Sequence, residues 1–211
     1  IRVAVRDVSR PRTVDLADAV LSTDPSEVVS DPKVDVVVEV IGGIEPARSL
    51  ILQAIANGKS VVTANKAVIA RHGPEIASAA RAAGVYVLIE AAVGGGIPII
   101  EPLKQSLGGN RINRVSGIIN GTTNYILTRM ADEGAAYADV LAEAQRLGYA
   151  EADPAADVDG LDAADKIAIL SALAFGGTVD RDALPTTGIS ALQGRDVEYA
   201  RQLGYGVKLL A

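Results

Sequence analysis

Residues 34–66 read VDVVVEVIGGIEPARSLILQAIANGKSVVTANK, two apolar runs on either side of a helical pattern. The run VDVVVEVI (34–41) is almost continuously apolar, which is typical of a parallel strand that is covered on both faces. Gly42 and Gly43 follow it, and a helical pattern then runs from Pro46 to Asn57 and stops at Gly58. SVVT (60–63) is again strand-like, so this segment predicts a strand, a helix and a second strand.

The same alternation extends in both directions. IRVAV (1–5) and VYVLIE (85–90) are strand-like, and the helical pattern HGPEIASAARAAG between them stops at Gly84. We therefore expect residues 1–91 to form a partial doubly wound parallel sheet of the Rossmann type, in the α/β class.

The pattern changes after residue 91, because helices begin to outnumber strands. We expect a second, α+β domain over residues 92–211. The expected helices lie near 99–107, within 120–134 and 137–150, and near 162–175 and 195–203; strands are expected over 110–119 and at 205–211.

Composition excludes several classes of function. The chain has 211 residues, of which 49% are hydrophobic, so it can bury a substantial core. Its net charge of −6 without a basic cluster argues against nucleic acid as a partner. No apolar run approaches the roughly 20 residues of a membrane span. The absence of cysteine excludes disulfides, zinc–thiolate sites and a cysteine nucleophile, and it fits a reducing cytoplasm.

Familiar ligand motifs are missing or incomplete. No strand is followed by G-x-G-x-x-G, and a phosphate-binding P-loop fails because Gln53 replaces its first glycine. DVDG resembles part of an EF-hand, but Ala155 and Lys166 stand where a calcium loop needs acids. The single histidine, His72, is interpreted as a surface or capping residue.

One segment combines many acids with one lysine. EADPAADVDGLDAADK (151–166) has six carboxylates and ends on Lys166, before the apolar run IAILSALAF. Asp162 and Lys166 are four residues apart and lie on one face of a helix that starts near Gly160. An ordinary ion pair between them would stabilise the helix by about 0.3–0.5 kcal/mol. Alternatively, a lysine partly removed from water transfers a proton, and the acids bind the ammonium group of an amino acid.

A second lysine lies at the expected ligand crevice. In open α/β sheets this crevice is at the carboxyl ends of the strands, where Lys66 follows SVVT and where Ile41 and Gly42 end the preceding strand. An ordinary loop lysine is the alternative for Lys66.

Five segments together resemble homoserine dehydrogenase. They are VEVIGGIEPA (38–47), VVTANKA (61–67), EAAVGGGIPII (90–100), GIINGTTNYIL (117–127) and GYAEADPAADVDGLDAADK (148–166). The resemblance covers essentially the whole chain, in order. It implies NAD(P)-dependent interconversion of L-homoserine and L-aspartate 4-semialdehyde, in the biosynthesis of threonine, methionine and isoleucine.

The resemblance also implies roles for individual residues. Lys166 would transfer the proton at the substrate hydroxyl, and Lys66 would contact cofactor and substrate. The substrate would be bound by Glu151, Asp162, Asp157, Gly121 and Thr122, with NGTTN (120–124) lining its pocket. Ile41 and Gly42 would lie along the nicotinamide half of the cofactor. A structural sodium ion, bound largely by backbone carbonyls, would lie at Glu90, Val93, Gly95 and Ile97.

Both ends depart from the family pattern. IRVAVRD matches the family's second strand, so the first strand, its glycine-rich turn and its helix are expected to be missing, and the family continues beyond residue 211. Arg6 could meet a 2′-phosphate and favour NADP over NAD, or be a surface arginine. A homodimer is expected from the resemblance. The alternative function is a non-catalytic, substrate-binding and dimer-forming fragment.

Overall fold

The computed structural model describes residues 1–16 and 19–211. The chain forms two compact units, Ile1–Glu101 and Pro102–Ala211. The boundary expected between residues 91 and 92 falls within the first unit.

The first unit has the expected alternation of parallel strands and helices. Two strands form one small sheet, and three strands form a second sheet in which Glu39 lies opposite Thr63. In chain order the elements are β1 (Arg2–Ala4), β2 (Val20–Ser22), α1 (Pro25–Ser30), β3 (Val36–Glu39), α2 (Ala47–Ala56), β4 (Ser60–Thr63), α3 (Lys66–Ala83), β5 (Val87–Leu88) and a 3-10 turn (Glu90–Ala92). β1 pairs with β2, and the larger sheet has the order β3-β4-β5.

The helices cover one face of the larger sheet. Ile51 and Ile55 of α2 are almost fully buried, as are Val61 of β4 and Val68 of α3. Burying one such side chain contributes about 1.5–3 kcal/mol relative to exposure, so this layer stabilises the unit.

The expectation that β3 is covered on both faces is wrong for the described residues. Its side chains alternate: Val37 and Glu39 are buried, whereas Val36 and Val38 are 52% and 65% exposed. Successive side chains of a strand point to opposite faces, and α2 and α3 cover only one of them.

The second unit is mainly helical. Its core contains Ile126, Leu127 and Met130, packed with Val140 and Val197. The elements are a π-helical turn (Pro102–Ser106), α4 (Gly121–Glu133), α5 (Tyr137–Arg146), α6 (Ala155–Val158), α7 (Leu161–Phe175), a 3-10 turn (Arg181–Ala183) and α8 (Gly194–Gln202).

The strands expected at 110–119 and 205–211 are not formed. Gly117 and Ala211 exchange two backbone hydrogen bonds, of 2.9 and 3.0 Å, but neither segment continues this pairing into a ladder. A segment rich in β-forming residues becomes a strand only where several successive residues pair with a neighbouring segment. Between these two segments, the described residues form one such pair.

Within residues 1–16 and 19–211, no helix has both the length and the apolarity needed to cross a membrane. In the same part of the chain, no group of three or more His, Cys, Asp or Glu side chains is arranged to bind a metal ion.

Candidate active site

The site begins at the first turns of α7. Gly160 precedes this helix with a φ of 81°, a left-handed conformation that suits glycine. The helix then carries Asp162 and Lys166 one turn apart on the same face. Lys166 Nζ donates to Asp162 Oδ2 at 2.6 Å, so the predicted ion pair is present.

The Lys166 ammonium is held by two acceptors and is largely removed from water. Besides Asp162, it donates to the backbone carbonyl of Ile119 at 2.9 Å, and its side chain is only 17% exposed. An ammonium has three N–H donors. The two acceptors use two of them, so the third N–H of Lys166 has no acceptor among the described residues. Because Lys166 also lines a pocket, that donor is available to a ligand oxygen.

Asn120 joins the two acids of the site. Its side-chain nitrogen donates to Asp157 Oδ1 at 2.7 Å and to Asp162 Oδ2 at 2.9 Å. Its side-chain oxygen accepts from the backbone N–H and the hydroxyl of Thr123, both at 2.8 Å, and so caps α4. One buried amide therefore fixes the start of α4 and the positions of both carboxylates.

A polar and aromatic wall completes the pocket. The Thr122 hydroxyl donates to the carbonyl of Tyr149 at 2.7 Å, and the Tyr149 ring meets that of Tyr125 edge-on at 5.1 Å between centroids. Arg129 donates to the Tyr125 hydroxyl at 2.7 Å and thereby orients that ring. The pocket has a volume of about 580 Å³ and is lined by Asn120, Gly121, Thr122, Tyr125, Gly148, Tyr149, Asp157, Asp162 and Lys166.

The charge of this pocket favours a cationic group. Two carboxylates and one ammonium line it, so one negative charge is left over. Opposite charges attract more strongly where water is partly excluded. The pocket can therefore bind an ammonium near Asp157 and Asp162 and hydrogen-bond an oxygen through Lys166.

The structure brings together five of the residues expected at the substrate or catalytic site: Gly121, Thr122, Asp157, Asp162 and Lys166 all line this pocket. Glu151 is exposed and is not among the lining residues, and its carbonyl accepts from the Gln145 side chain at 3.1 Å.

Sequence reasoning did not single out Tyr125 or Tyr149, and it named Asn120 only as part of NGTTN (120–124), the segment expected to line the pocket. An asparagine directly before a helical pattern is a recognisable capping signal, but that signal does not reveal a second role. Asn120 and Asp162 are separated by 42 positions in sequence, and only the packing of α4 against its neighbours brings them together.

The residues expected at the cofactor belong to the first unit. Ile41 and Gly42 follow β3, and Lys66 is the first residue of α3, directly after β4. Arg6 is exposed and lies two positions beyond the end of β1. Gly42 has a φ of 83°, and a Cβ built on it would meet nothing within 4 Å, so the backbone here is open to close approach.

The four positions expected at a sodium ion lie on one glycine-rich turn. The Glu90 carboxylate accepts from the backbone N–H groups of Ile99, Ile100 and Glu101 at 2.6, 2.9 and 2.8 Å. The turn between them contains Val93, Gly95 and Ile97, whose carbonyls accept no hydrogen bond from the described residues.

Comparison with known proteins matches both units. The family model "Homoserine dehydrogenase, NAD binding domain" matches residues 1–90, and the model "Homoserine dehydrogenase" matches residues 98–211. A homoserine dehydrogenase of Synechocystis sp. is 64% identical over 99% of this chain, which spans 48% of that relative.

Solved structures of homoserine dehydrogenases also resemble this chain. A homoserine dehydrogenase from Thiobacillus denitrificans superposes with a TM-score of 0.92 at 55% identity, over 99% of this chain and 48% of its own. A hyperthermophilic archaeal homoserine dehydrogenase in complex with NADPH has a TM-score of 0.75 at 33% identity, over 89% of this chain and 55% of its own. The chain thus spans about half the length of the relatives it matches, and it belongs to the homoserine dehydrogenase family.

Proposed function

We propose that the protein containing this chain interconverts L-homoserine and L-aspartate 4-semialdehyde with a nicotinamide cofactor. The observation that carries the proposal is the Lys166 ammonium, held by Asp162 and the Ile119 carbonyl in a pocket with a surplus carboxylate. Family membership supports this reaction, and the geometry around Lys166 supports it as the proton donor.

Lys166 acts on the substrate oxygen. Reduction of an aldehyde needs a hydride at carbon and a proton at oxygen, and the bound cofactor supplies the hydride. Lys166 gives the proton to the oxygen, and in the oxidation direction it takes the proton from the hydroxyl. Its positive charge also stabilises negative charge that develops on the oxygen in the transition state.

The carboxylates bind the α-ammonium group of the substrate. Asp157 and Asp162 are fixed by Asn120 before any ligand arrives, so binding requires little reorganisation. Gly121 and Thr122 line the same pocket beside them. Glu151, six residues before Asp157, contributes to substrate binding from the exposed rim.

The cofactor binds at the carboxyl ends of β3 and β4. The open backbone at Gly42 fits a planar ring at close approach, and Ile41 and Lys66 flank that edge of the sheet. The NADPH bound by the archaeal relative supports a nicotinamide cofactor here. Arg6 offers a guanidinium for a 2′-phosphate, which favours NADP over NAD.

A sodium ion fits the turn after Glu90. The carbonyls of Val93, Gly95 and Ile97 accept no hydrogen bond from the described residues, and hard cations prefer such oxygen ligands. With the Glu90 carbonyl they form the proposed set. The ion would brace the turn and takes no part in the reaction.

A cytoplasmic homodimer is proposed as the working form, with its product used for threonine, methionine and isoleucine. The absence of cysteine is in keeping with a reducing compartment. Exposed apolar residues of the second unit, Leu203, Tyr205 and Leu210, are candidates for burial between subunits. Light scattering during size-exclusion chromatography of the full-length protein measures the assembly.

The test compares Lys166→Ala with the unchanged full-length protein. Absorbance at 340 nm is followed with L-homoserine and NADP, then NAD. We expect the variant to lose activity by about 100-fold or more while remaining folded.

Lys208→Ala is the matched control. Lys208 is another lysine of the second unit; it donates to Asn124 and Thr128 side chains at 2.9 and 2.8 Å and does not line the pocket. The Lys208→Ala variant should therefore retain activity. An active Lys166→Ala would mean that Asp162 and Lys166 form only an ordinary ion pair. A protein without activity that binds homoserine but not NADPH in calorimetry would instead be a substrate-binding module.

A further inference from the structure

Glu39 is a buried carboxylate at the end of β3, and it is only 4% exposed. Its Oε1 accepts from the backbone N–H of Ile41 at 2.7 Å and more weakly from that of Gly42 at 3.4 Å. Within residues 1–16 and 19–211, no lysine, arginine or histidine forms an ion pair with it. Burying a charge is costly, so these N–H groups and a hydroxyl must hold it.

The same carboxylate reaches the loop after the neighbouring strand. Its Oε2 accepts from the Thr63 hydroxyl at 2.6 Å, and that hydroxyl accepts from the backbone N–H of Asn65 at 2.9 Å. The Asn65 side chain donates to the Gly43 carbonyl at 2.8 Å and caps α3 by accepting from Val68 at 3.2 Å. Glu39 thus ties the turn after β3 to the start of α3, whose first residue is Lys66.

These hydrogen bonds also set the direction of two carbonyls. In a trans peptide the C=O and N–H point in opposite directions. With the N–H groups of Ile41 and Gly42 directed at Glu39, the carbonyls of Val40 and Ile41 point away from it. Neither accepts a hydrogen bond from the described residues, so both are available to a ligand with an N–H donor.

We propose that Glu39 is a positioning residue for the nicotinamide end of the cofactor. It holds the turn after β3 so that the Val40 and Ile41 carbonyls accept from the carboxamide nitrogen of the ring. The proposal rests on the proposed function, because it takes the carboxyl edge of this sheet as the cofactor site. Glu39 itself does not contact the reacting atoms.

The first unit offers a matched control for a purely structural role. Lys59 is also 4% exposed, and it donates to the carbonyls of Asp31 and Val34, both at 2.6 Å. It precedes β4 at the amino end, whereas Thr63 ends β4 at the carboxyl end. Both buried charges support the fold, but only Glu39 faces the proposed cofactor edge.

The experiment measures KM for NADPH and kcat in the full-length protein and in Glu39→Gln and Lys59→Met. Glutamine keeps the shape but weakens the hydrogen bonds by removing the charge. We expect KM for NADPH to rise about tenfold in Glu39→Gln, with KM for the amino-acid substrate unchanged. Lys59→Met should lower the melting temperature while leaving both KM values unchanged.

The 3-acetylpyridine analogue of the cofactor tests the carbonyls directly, because it has no carboxamide N–H. The rise in KM caused by Glu39→Gln should largely disappear with this analogue. An equal rise for both cofactors, or an equal rise in Lys59→Met, would overturn the proposal.

Thr63→Val serves if Glu39→Gln does not fold. It removes the hydroxyl that links Glu39 to Asn65, and it should raise KM for NADPH severalfold; an unchanged KM counts against the proposal. Activity of the unchanged protein with homoserine decides the proposed function separately. Absence of homoserine activity in the unchanged protein and an unchanged KM for NADPH in Glu39→Gln are therefore distinguishable results.

Discussion

Asn120 donates a hydrogen bond of 2.9 Å to Asp162 Oδ2, across 42 positions of sequence. The same oxygen accepts from Lys166 at 2.6 Å. A single carboxylate oxygen therefore fixes both the amide that caps α4 and the ammonium that faces the pocket. Changes at any of these three side chains should affect the other two.

The first prediction separates the two roles of Asn120. In Asn120→Asp the side chain still caps α4, but a third carboxylate replaces the donor that joins Asp157 and Asp162. Repulsion among the acids should lower kcat by about tenfold or more, with a loss of stability below about 2 kcal/mol.

Asn120→Ser is the comparison, because serine is also a good capping residue but adds no charge. Steady-state kinetics and urea unfolding measure the two effects. If Asn120→Asp were as active as the unchanged protein, the bridging amide would have no importance for catalysis.

The second prediction concerns the close packing of Gly188 on the turn between Asp157 and Asp162. A Cβ at this position would overlap the carbonyl oxygen of Val158 and the Cα of Asp159, and the next residue, Ile189, donates to the same carbonyl at 2.7 Å. Gly188→Ala must displace this turn and should destabilise the protein by about 1–3 kcal/mol.

Because Asp157 precedes the displaced turn, KM for homoserine should rise in the same variant. Gly194→Ala, where an added Cβ meets nothing within 4 Å, should change neither quantity. Thermal unfolding and substrate titration test this, and a fully stable Gly188→Ala would contradict the packing.

The third prediction concerns a buried ion pair beside the site. Arg181 donates to Asp165 at 2.5 Å and to the carbonyl of Leu161 at 3.0 Å, and the arginine is only 5% exposed. Arg181→Met removes the guanidinium that pairs with this buried carboxylate, which should cost about 3–5 kcal/mol in unfolding free energy.

Arg181→Met with Asp165→Asn should recover part of that loss, because the buried charge is then gone as well. Urea unfolding of the single and double variants measures the coupling. A single variant as stable as the unchanged protein would show that the pair does not contribute.

The fourth prediction is a dependence on pH in the first unit. Arg48 of α2 donates twice to Glu75 of α3, at 2.5 and 2.8 Å, and this hydrogen bonding lowers the pKa of Glu75 below its ordinary value of 4.5. A carboxyl with a depressed pKa in the folded state adds stability above its ordinary pKa. That stability is lost as pH falls through the folded-state value.

Arg48→Met should therefore lower the urea midpoint at neutral pH, and the difference from the unchanged protein should shrink as pH falls below 4.5 and through the folded-state pKa of Glu75. Urea unfolding at several pH values measures this. A difference that stays constant as the pH falls through this range would mean that Arg48 acts through apolar packing of its side chain.

Local patterns were enough to predict much of the first unit. The apolar run of β3, the glycine that ends α2 and the periodicity of α3 are each encoded within a short window. The spacing of Asp162 and Lys166 likewise predicted their contact, because four residues make one helical turn.

What the sequence could not predict depends on distant partners. Residues 110–119 have a strand-like composition, but among the described residues only Gly117 pairs with the backbone of the other expected strand, at Ala211. The joining of Asp157 to Asp162 by Asn120, and of β3 to α3 by Glu39, requires elements that are brought together only by folding. No periodicity marks such contacts in advance.

The pocket walls come from three separate segments of the second unit, beginning at Asn120, Gly148 and Asp157. A molecule that fills the pocket therefore acts as a non-covalent crosslink between helices that are distant along the chain. Occupancy by the amino acid alone would slow amide hydrogen exchange in the first turns of α4 and α7 together, since the ligand adds its binding free energy to the closed state. Substrate and local folding are in this way thermodynamically linked.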